Sequence, residues 1–235
     1  MPNSGTQHTV KAFDTDINEL RGMVAEIGGR SEQAIAKAMR ALKKGDLELA
    51  KEVVQEDKLI DDLERRIDDL TFQTIALRAP MADDLRELIA TFKISGVVER
   101  IGDYAKNIAK RVPLVTRGKK LGPVSLLPSM SQVASELVHD SLEAFARRDA
   151  DLAEDVSERD QIVDDFYTSI FRATITHMIE NPKDIGQAAH VLFIAKNLER
   201  IGDHASNICE AIYFTNEGTQ LIRDPIIEEM RKGGK

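Results

Sequence analysis

The sequence predicts an all-α protein made of two tandem, similar three-helix bundles, and three observations lead to this prediction. Of its 235 residues, 31% are charged and 5% are aromatic, and there is no tryptophan, a composition typical of helical proteins. Apolar residues recur at helical spacing over long stretches of the chain. The segment ERIGDYAKNI, residues 99–108, returns one hundred residues later as ERIGDHASNI, residues 199–208, with eight of ten positions identical. The chain therefore contains an internal duplication.

Caps and helix breakers in the sequence place the helix boundaries. Asp46 and Asp149 are predicted N-caps at equivalent places in the two halves, and Pro113 is expected to end the third helix. Six long helices joined by short loops must lie antiparallel to their neighbours. The predicted helices are residues 9–43, 46–78, 83–111, 130–147, 149–179 and 184–214, followed by a short tail helix over residues 225–231.

The predicted helices divide the chain into two bundles side by side. Each half is long enough to bury a core of its own. The segment between the halves contains glycine and proline, and it carries a basic patch of Arg117, Lys119 and Lys120 that we expect to be a solvated loop. The predicted division is a first bundle over residues 1–113, a connector over residues 114–128, and a second bundle with a short tail over residues 129–235.

Each copy of the repeated segment places two acids one helical turn apart. Glu99 and Asp103 lie four residues apart on the face opposite the apolar stripe. Glu199 and Asp203 repeat this pair in the second half. Like charges at this spacing repel each other, so their repetition suggests that something positive lies between them. The glycine inside each pair is unfavourable in a helix, and we expect it to allow close approach of a neighbouring helix or a bound group.

The middle helix of each half carries a second pair of acids. Asp57 and Asp61 correspond to Asp160 and Asp164, again four residues apart. If the second and third helices of a half are neighbours, four carboxylates can surround one point. Oxygen ligands of this kind suit hard metal ions such as Fe, Mn or Mg. Acids on long helices are more often solvated, and it is the repetition of both pairs that favours metal binding.

Four other acids and histidines stand near these pairs without being repeated. Glu64 and Asp68 have aromatic counterparts in the second half, so we expect them to face solvent. His190 and His204 have no histidine counterparts, and a surface or packed role is favoured over metal ligation.

Two repeated arginines follow the first acid of each copy of the segment. Arg100 and Arg200 leave two interpretations open, a surface ion pair or pairing with acids of the adjacent helix.

Charge and cysteine content narrow the functional class. The net charge of −8 argues against a broad nucleic-acid surface, which would need a basic face. Cys209 is the single cysteine, so no disulfide forms within the chain, and its apolar neighbours suggest a small packed residue. No stretch resembles a signal peptide or a membrane span. We expect a cytoplasmic protein that meets the inner membrane only through its partners.

The residues just described resemble the PhoU family of phosphate-signalling proteins. The resemblance covers nearly the whole chain and rests on MRAL at residues 39–42, the acidic segment 57–61, PMADDLR at residues 80–86, and both copies of ERIGD. It implies two tandem three-helix bundles, often dimeric, whose E(D)xxxD motifs bind metal ions. Position by position, these motifs fall on Asp57, Asp61, Glu99, Asp103, Asp160, Asp164, Glu199 and Asp203.

The resemblance also implies a function. Members of the family act as negative regulators when phosphate is plentiful, between the phosphate ABC transporter, through its ATPase subunit, and the sensor histidine kinase PhoR. We therefore expect a homodimeric, metal-binding adaptor and not an enzyme. Two alternatives stay open: a carboxylate-bridged di-iron enzyme in a helical bundle, and a metal-free scaffold whose acidic faces meet basic partners.

Overall fold

The computed structural model describes residues 4–118, 121–217 and 221, and all regular structure in these ranges is helical. Two short 3₁₀ helices, Gly122–Leu126 and Pro182–Asp184, precede the fourth and sixth long helices. The predicted all-α class is confirmed. The long helices are α1 Ser4–Lys44, α2 Leu47–Arg78, α3 Asp83–Thr116, α4 Leu127–Arg147, α5 Ala150–Glu180 and α6 Ile185–Glu217.

The two predicted N-caps are confirmed at the starts of α2 and α5. The carboxylate of Asp46 accepts a hydrogen bond from the Leu49 backbone N–H at 3.0 Å. Asp149 accepts the equivalent bond from Leu152, also at 3.0 Å. Each bond satisfies a backbone donor that has no partner within its own helix.

The prediction that Pro113 ends the third helix is wrong, because α3 continues to Thr116. Proline removes one backbone hydrogen bond, but tertiary contacts hold the turn that follows it. Val115 is buried in the core. The side-chain amide of Gln187, on α6, donates a hydrogen bond to the backbone carbonyl oxygen of Val115 at 2.5 Å. The segment predicted as connector therefore contains the end of α3, a 3₁₀ helix and the start of α4.

Three further predictions concern the start of the sixth helix, the tail that follows it, and the basic patch before α4. Asp184 belongs to the 3₁₀ helix, so α6 begins one residue later than predicted. The predicted tail helix over residues 225–231, and Lys119 and Lys120 of the basic patch, lie outside the described residues.

Helices α1, α2 and α3 form one bundle, and α4, α5 and α6 form a second bundle of the same plan. The two bundles meet where α3 packs along α6 and where α1 packs against α4, so α2 and α5 lie on the outer sides. The buried apolar side chains of both bundles form one continuous core. None of the helices in the described ranges is long and apolar enough to span a bilayer.

Gly28 lies where α1 crosses α4. A Cβ atom at Gly28 would lie 2.6 Å from Cδ1 of Leu142, whereas a Cβ at the adjacent Gly29 would meet no atom within 4 Å. The missing side chain at Gly28 therefore allows the two bundles to approach closely at this crossing.

Gly28→Ala and Gly29→Ala form a matched pair that tests this contact. Alanine is favoured over glycine inside a helix, so Gly29→Ala is expected to raise the free energy of unfolding by about 0.5–1 kcal/mol. Gly28→Ala is expected to gain less, since Leu142 must shift. Urea unfolding of both variants measures the difference, and an equal gain from both would contradict it.

Candidate functional site

The glycine of each repeated segment lies against a side chain of the neighbouring helix. A Cβ atom at Gly102 would lie 2.8 Å from Cδ1 of Ile60, on α2. A Cβ atom at Gly202 would lie 2.7 Å from Oδ1 of Asp160, on α5. The expectation that these glycines admit a neighbouring helix is confirmed, and the neighbour is the helix that carries the second pair of acids.

The four acids of the first half, Asp57, Asp61, Glu99 and Asp103, are called the first acid set. They lie along the seam between α2 and α3. The Asp57 side chain is only 6% exposed, and the other three are partly buried. The first acid set therefore belongs neither to the bundle interior nor to a fully solvated face.

Lys106 brings two acids of the first acid set together. Its ammonium group lies 2.5 Å from Oδ2 of Asp57, across the seam, and also forms an ion pair with Asp103, one turn earlier on α3. The Lys106 side chain is 19% exposed. Burial lowers the pKa of Lys106, but the hydrogen bonds and charges of Asp103 and Asp57 outweigh this effect, and the pKa is raised overall.

Burial changes the protonation equilibria of the carboxylates beside this lysine. The pKa of Asp57 is raised by burial, with added repulsion from Asp61 and Asp103, although Lys106 opposes the rise. The pKa of Glu99 is raised by burial first and by the charge of Asp103 second. The acids of the seam thus repel one another, and a cation among them stabilises their charged forms.

The expectation that Glu64 and Asp68 face solvent is wrong. Both are partly buried, and Glu64 Oε1 lies on the α3 side of α2, at 4.0 Å from where a Cβ of Gly96 would stand. Burial raises the pKa of Glu64, and the charges of Asp68 and Asp61 add to this. Oδ1 of Asp68 is buried and has no hydrogen-bond partner among the described residues. These two acids extend the acidic seam toward the end of α2.

The second acid set consists of Asp160, Asp164, Glu199 and Asp203, on α5 and α6. Asp160 is buried and the other three are partly buried. Burial raises the pKa of Asp164, and repulsion from Asp203 adds to the rise. Lys196 forms an ion pair with Oε1 of Glu199, while Oε2 of Glu199 is buried without a hydrogen-bond partner in the described structure. All the side-chain ligand atoms of the second acid set are carboxylate oxygens, which suit a hard cation.

The predicted ligands are close enough to repel one another, but they are not arranged as a closed coordination shell. Across residues 4–118 and 121–217, only one group of three candidate ligands has its ligand atoms within 4.8 Å of one another. That group is His139, Asp140 and Glu143, on α4. Its members already form ion pairs or hydrogen bonds with Glu32, Arg159 and Arg147 respectively. Metal binding by either acid set therefore requires its carboxylates to change rotamer.

His204 packs between the two halves. Its ring meets the Tyr104 ring edge to face with centroids 5.2 Å apart, and its Nδ1 lies 2.8 Å from the Arg200 carbonyl oxygen. Burial lowers the pKa of His204, and the charges of Arg100 and Arg200 add to this, against the opposing effects of the Arg200 carbonyl and Asp203. His204 is thus a partly buried ring in the contact between the halves, which is one of the two roles, surface or packed, that the sequence favoured for it.

Among the described residues, neither Arg100 nor Arg200 forms an ion pair with an acid of the adjacent helix. Arg100 lies 3.7 Å from Glu99 and 3.8 Å from Asp103, both on its own helix. The guanidinium of Arg200 lies 5.8 Å from the centroid of the Tyr104 ring, across the junction of α3 and α6. Arg200 thus contributes to the contact between the halves.

Sequence reasoning missed the role of Lys106. The signal was available, because Lys106 and Tyr104 are the two positions at which the first copy of the ten-residue segment differs from the second. Their counterparts are Ser206 and His204. One differing position supplies the lysine of the first acid set, and the other supplies the ring contact between the halves.

These features define a duplicated helical-bundle protein with carboxylates along the seam of the second and third helices of each half. A family model described as the PhoU domain matches the chain twice, over residues 24–112 and 127–212. The chain belongs to the PhoU family, as the resemblance in its sequence implied.

Curated relatives and solved structures agree with this assignment. A phosphate-specific transport system accessory protein PhoU homolog from Zymomonas mobilis is 48% identical over 214 residues, which span 91% of this chain and 90% of that protein. The homolog from Rhizobium meliloti is 42% identical over 216 residues, with 91% and 90% covered. The crystal structure of PhoU from Pseudomonas aeruginosa aligns with a TM-score of 0.85 at 34% identity, covering 88% of this chain and all of that one.

A solved structure from Streptococcus pneumoniae shares the same fold at lower identity. This phosphate transport system regulatory protein PhoU aligns with a TM-score of 0.83 at 26% identity, covering 89% of this chain and 99% of that one. The tandem arrangement of two three-helix bundles is therefore the fold of the family.

Removal of Lys106 tests its link between α2 and α3. Lys106→Met leaves the buried carboxylate of Asp57 without its cation, and we expect a loss of about 3 kcal/mol in the free energy of unfolding. Asp57→Asn in the same chain is expected to recover a large part of this loss. A double-mutant cycle at neutral pH measures the coupling, and additive effects of the two substitutions would contradict it.

The pH dependence of stability tests the burial of Glu64. Because the folded-state pKa of Glu64 is raised, its protonated form contributes stability that is present below the unfolded value of 4.5 and is lost as the pH rises through the folded pKa. Glu64→Gln cannot ionise, so it is expected to stabilise the protein increasingly from pH 4.5 toward neutrality. Denaturant unfolding across this range measures the effect. Asp62→Asn, at an exposed acid of the same helix, serves as the control and should show no such trend.

Proposed function

We propose that this protein is an accessory regulator of phosphate transport that restrains phosphate uptake and the phosphate-starvation response when phosphate is plentiful. The observation that carries the proposal is the match of the PhoU domain to both halves of the chain. Relatives that cover nine-tenths of its length are named as accessory proteins of the phosphate-specific transport system.

The proposed mode of action is that of a cytoplasmic adaptor. Its partners would be the ATPase subunit of the phosphate ABC transporter and the sensor histidine kinase PhoR, and it would work as a homodimer. Exposed apolar side chains support a role in protein contacts. Phe72, Met81, Ile179 and Phe193 are all more than half exposed, and groups of this kind are common at interaction surfaces.

A hard metal ion, Fe, Mn or Mg, is proposed to bind at the acidic seams. Support comes from the clustering of carboxylates from two helices and from the repulsion that burial imposes on them. The eight residues that would hold such ions are those of the two acid sets. A bound ion would neutralise these charges and tie the outer helix to the motif helix in each half.

The position of the two acid sets is relevant to the two alternative functions, the di-iron enzyme and the metal-free scaffold. A di-iron enzyme would direct Glu-x-x-His pairs into the bundle interior, whereas these acids lie at the seam and no such pair accompanies either motif. The adaptor is therefore favoured over the oxidase. One observation supports the metal-free scaffold as a second candidate: the ion pairs of Lys106 with Asp57 and Asp103 already place a cation in the first acid set.

Neutralising the repeated acids tests the proposed function. The combined substitutions Glu99→Gln, Asp103→Asn, Glu199→Gln and Asp203→Asn remove charge while keeping shape. We expect the variant to lose bound metal, measured by elemental analysis of protein purified without chelators, and to release a phosphate-starvation reporter from repression in cells.

A control variant with the exposed acids Glu48 and Asp62 changed to Gln and Asn should retain both properties. If the neutralised protein folds, matches its parent in metal content and still represses the reporter normally, the acid sets have no regulatory role.

A further inference from the structure

A long groove lies between the N-terminal part of α3 and the C-terminal part of α6. Its volume is about 910 Å³, at the upper end of the range of about 300–1,000 Å³ that is usual for binding pockets. The α3 wall extends from Ala82 to Val97 and the α6 wall from Asn207 to Thr215, and on each helix the lining residues recur at helical spacing. The groove is therefore bounded by one continuous face of each helix.

Both walls of this groove expose large apolar side chains. Leu85 is 37% exposed, Ile89 is 40% exposed and Phe214 is 43% exposed. A single exposed apolar residue is ordinary, but several that line one groove form a surface to which another segment can bind. Removing these side chains from water is favourable, so an apolar segment that covers them is held by the hydrophobic effect.

The chain itself reaches the groove after α6. Leu221 lies four residues beyond Glu217, where α6 ends. Its side chain is partly buried and lines the groove together with residues of both walls. Residues 222–235, called the tail segment, therefore continue from a point that already contacts the groove.

The sequence of the tail segment is that of a segment with one apolar face. Asp224 and Pro225 are favourable residues for the start of the short helix predicted over residues 225–231. Apolar residues in this helix stand three and four positions apart and so share one face. They are Ile226, Ile227 and Met230.

The tail segment is also long enough to follow the groove. The α3 wall is about 20 Å long, at about 1.5 Å per helical residue. Residues 222–224 span about 10 Å when extended, and the predicted helix adds about 10 Å. The apolar face of the tail can therefore reach the apolar side chains of both walls.

Charges on the two sides of the predicted helix match the two walls. The α3 wall carries Arg86 and Lys93, and the α6 wall carries Glu210. Glu229 and Arg231 stand two residues apart, about 200° around a helix, so they flank the apolar face on opposite sides. With Glu229 toward α3 and Arg231 toward α6, opposite charges meet at both walls.

We propose that the tail segment docks into the groove between α3 and α6 of its own chain, with the apolar face of its predicted helix against Leu85, Ile89 and Phe214. The inference depends neither on the proposed metal role nor on the identity of any partner. The docked tail covers an apolar surface of the free protein. Another amphipathic segment reaches that surface only by displacing the tail.

Thiol labelling of the full chain tests the proposal. The native Cys209 is fully buried, so a cysteine introduced by Ile89→Cys reports on the groove with little background. Ile227→Ser with Met230→Ser removes apolar surface from the tail without adding charge. These two substitutions are expected to raise the labelling rate of Ile89→Cys at least about tenfold, because protection follows the population of the undocked state.

Two controls accompany this measurement, and circular dichroism checks that each variant folds. Ile185→Cys, at an α6 residue that is 48% exposed and does not line the groove, should label at the same rate with either tail. Lys232→Ser with Lys235→Ser, beyond the predicted helix, should leave Ile89→Cys protected. Equal labelling of Ile89→Cys with the parent tail and with the Ile227→Ser, Met230→Ser tail overturns the proposal.

Cross-linking identifies the segment that covers the groove. A short bismaleimide applied to the chain with Ile89→Cys and Ile227→Cys is expected to link the two positions within one chain at every protein concentration. A link between two chains, with protection of Ile89→Cys that grows with protein concentration, would assign the groove to a second copy and overturn the proposal. Absence of any cross-link overturns it as well.

Discussion

The arrangement of acids in this protein depends on how closely the outer helix approaches the motif helix in each half. Gly102 and Gly202 favour that approach, because a Cβ atom there would lie 2.8 Å from Cδ1 of Ile60 on α2 or 2.7 Å from Oδ1 of Asp160 on α5, and these side chains would have to shift. Close approach brings carboxylates from two helices into one seam and takes them partly out of water. Burial and mutual repulsion then penalise their charged forms, which is the electrostatic condition that a nearby cation relieves.

The two halves meet this condition with different side chains on the same backbone plan. The first half places a lysine from its own motif helix between the carboxylates. The second half keeps its lysine at the rim of the seam and buries a neutral serine instead. A repeated fold thus preserves the geometry of a site while single substitutions change its charge, so equivalence of fold between the halves does not imply equivalence of chemistry.

Local features of the fold could be predicted from sequence, whereas features that depend on tertiary partners could not. The caps at Asp46 and Asp149 were predictable because a cap acts within one turn of its own helix. The end of α3 was not, since the turn after Pro113 is held by a residue of α6. Apolar stripes on α3 and α6 show that both helices are buried, but not that they pack against each other.

The same distinction applies to the acid sets. Repetition identified the eight acids, because it selects positions that are identical in both copies. It also led to Lys106 being overlooked and to Glu64 being placed in solvent, since neither is repeated. A difference between copies carries structural information that a search for identities discards.

The contact between the rings of Tyr104 and His204 has a mechanical consequence. Asp103 and Tyr104 are consecutive on α3, as Asp203 and His204 are on α6, so each helix carries an acid of its own seam beside a ring of the central junction. Because consecutive residues of one helix are held rigidly to each other, the Tyr104 ring keeps its place relative to Asp103, and the His204 ring its place relative to Asp203. The acids of both seams are therefore carried by helices that meet at the contact between these two rings.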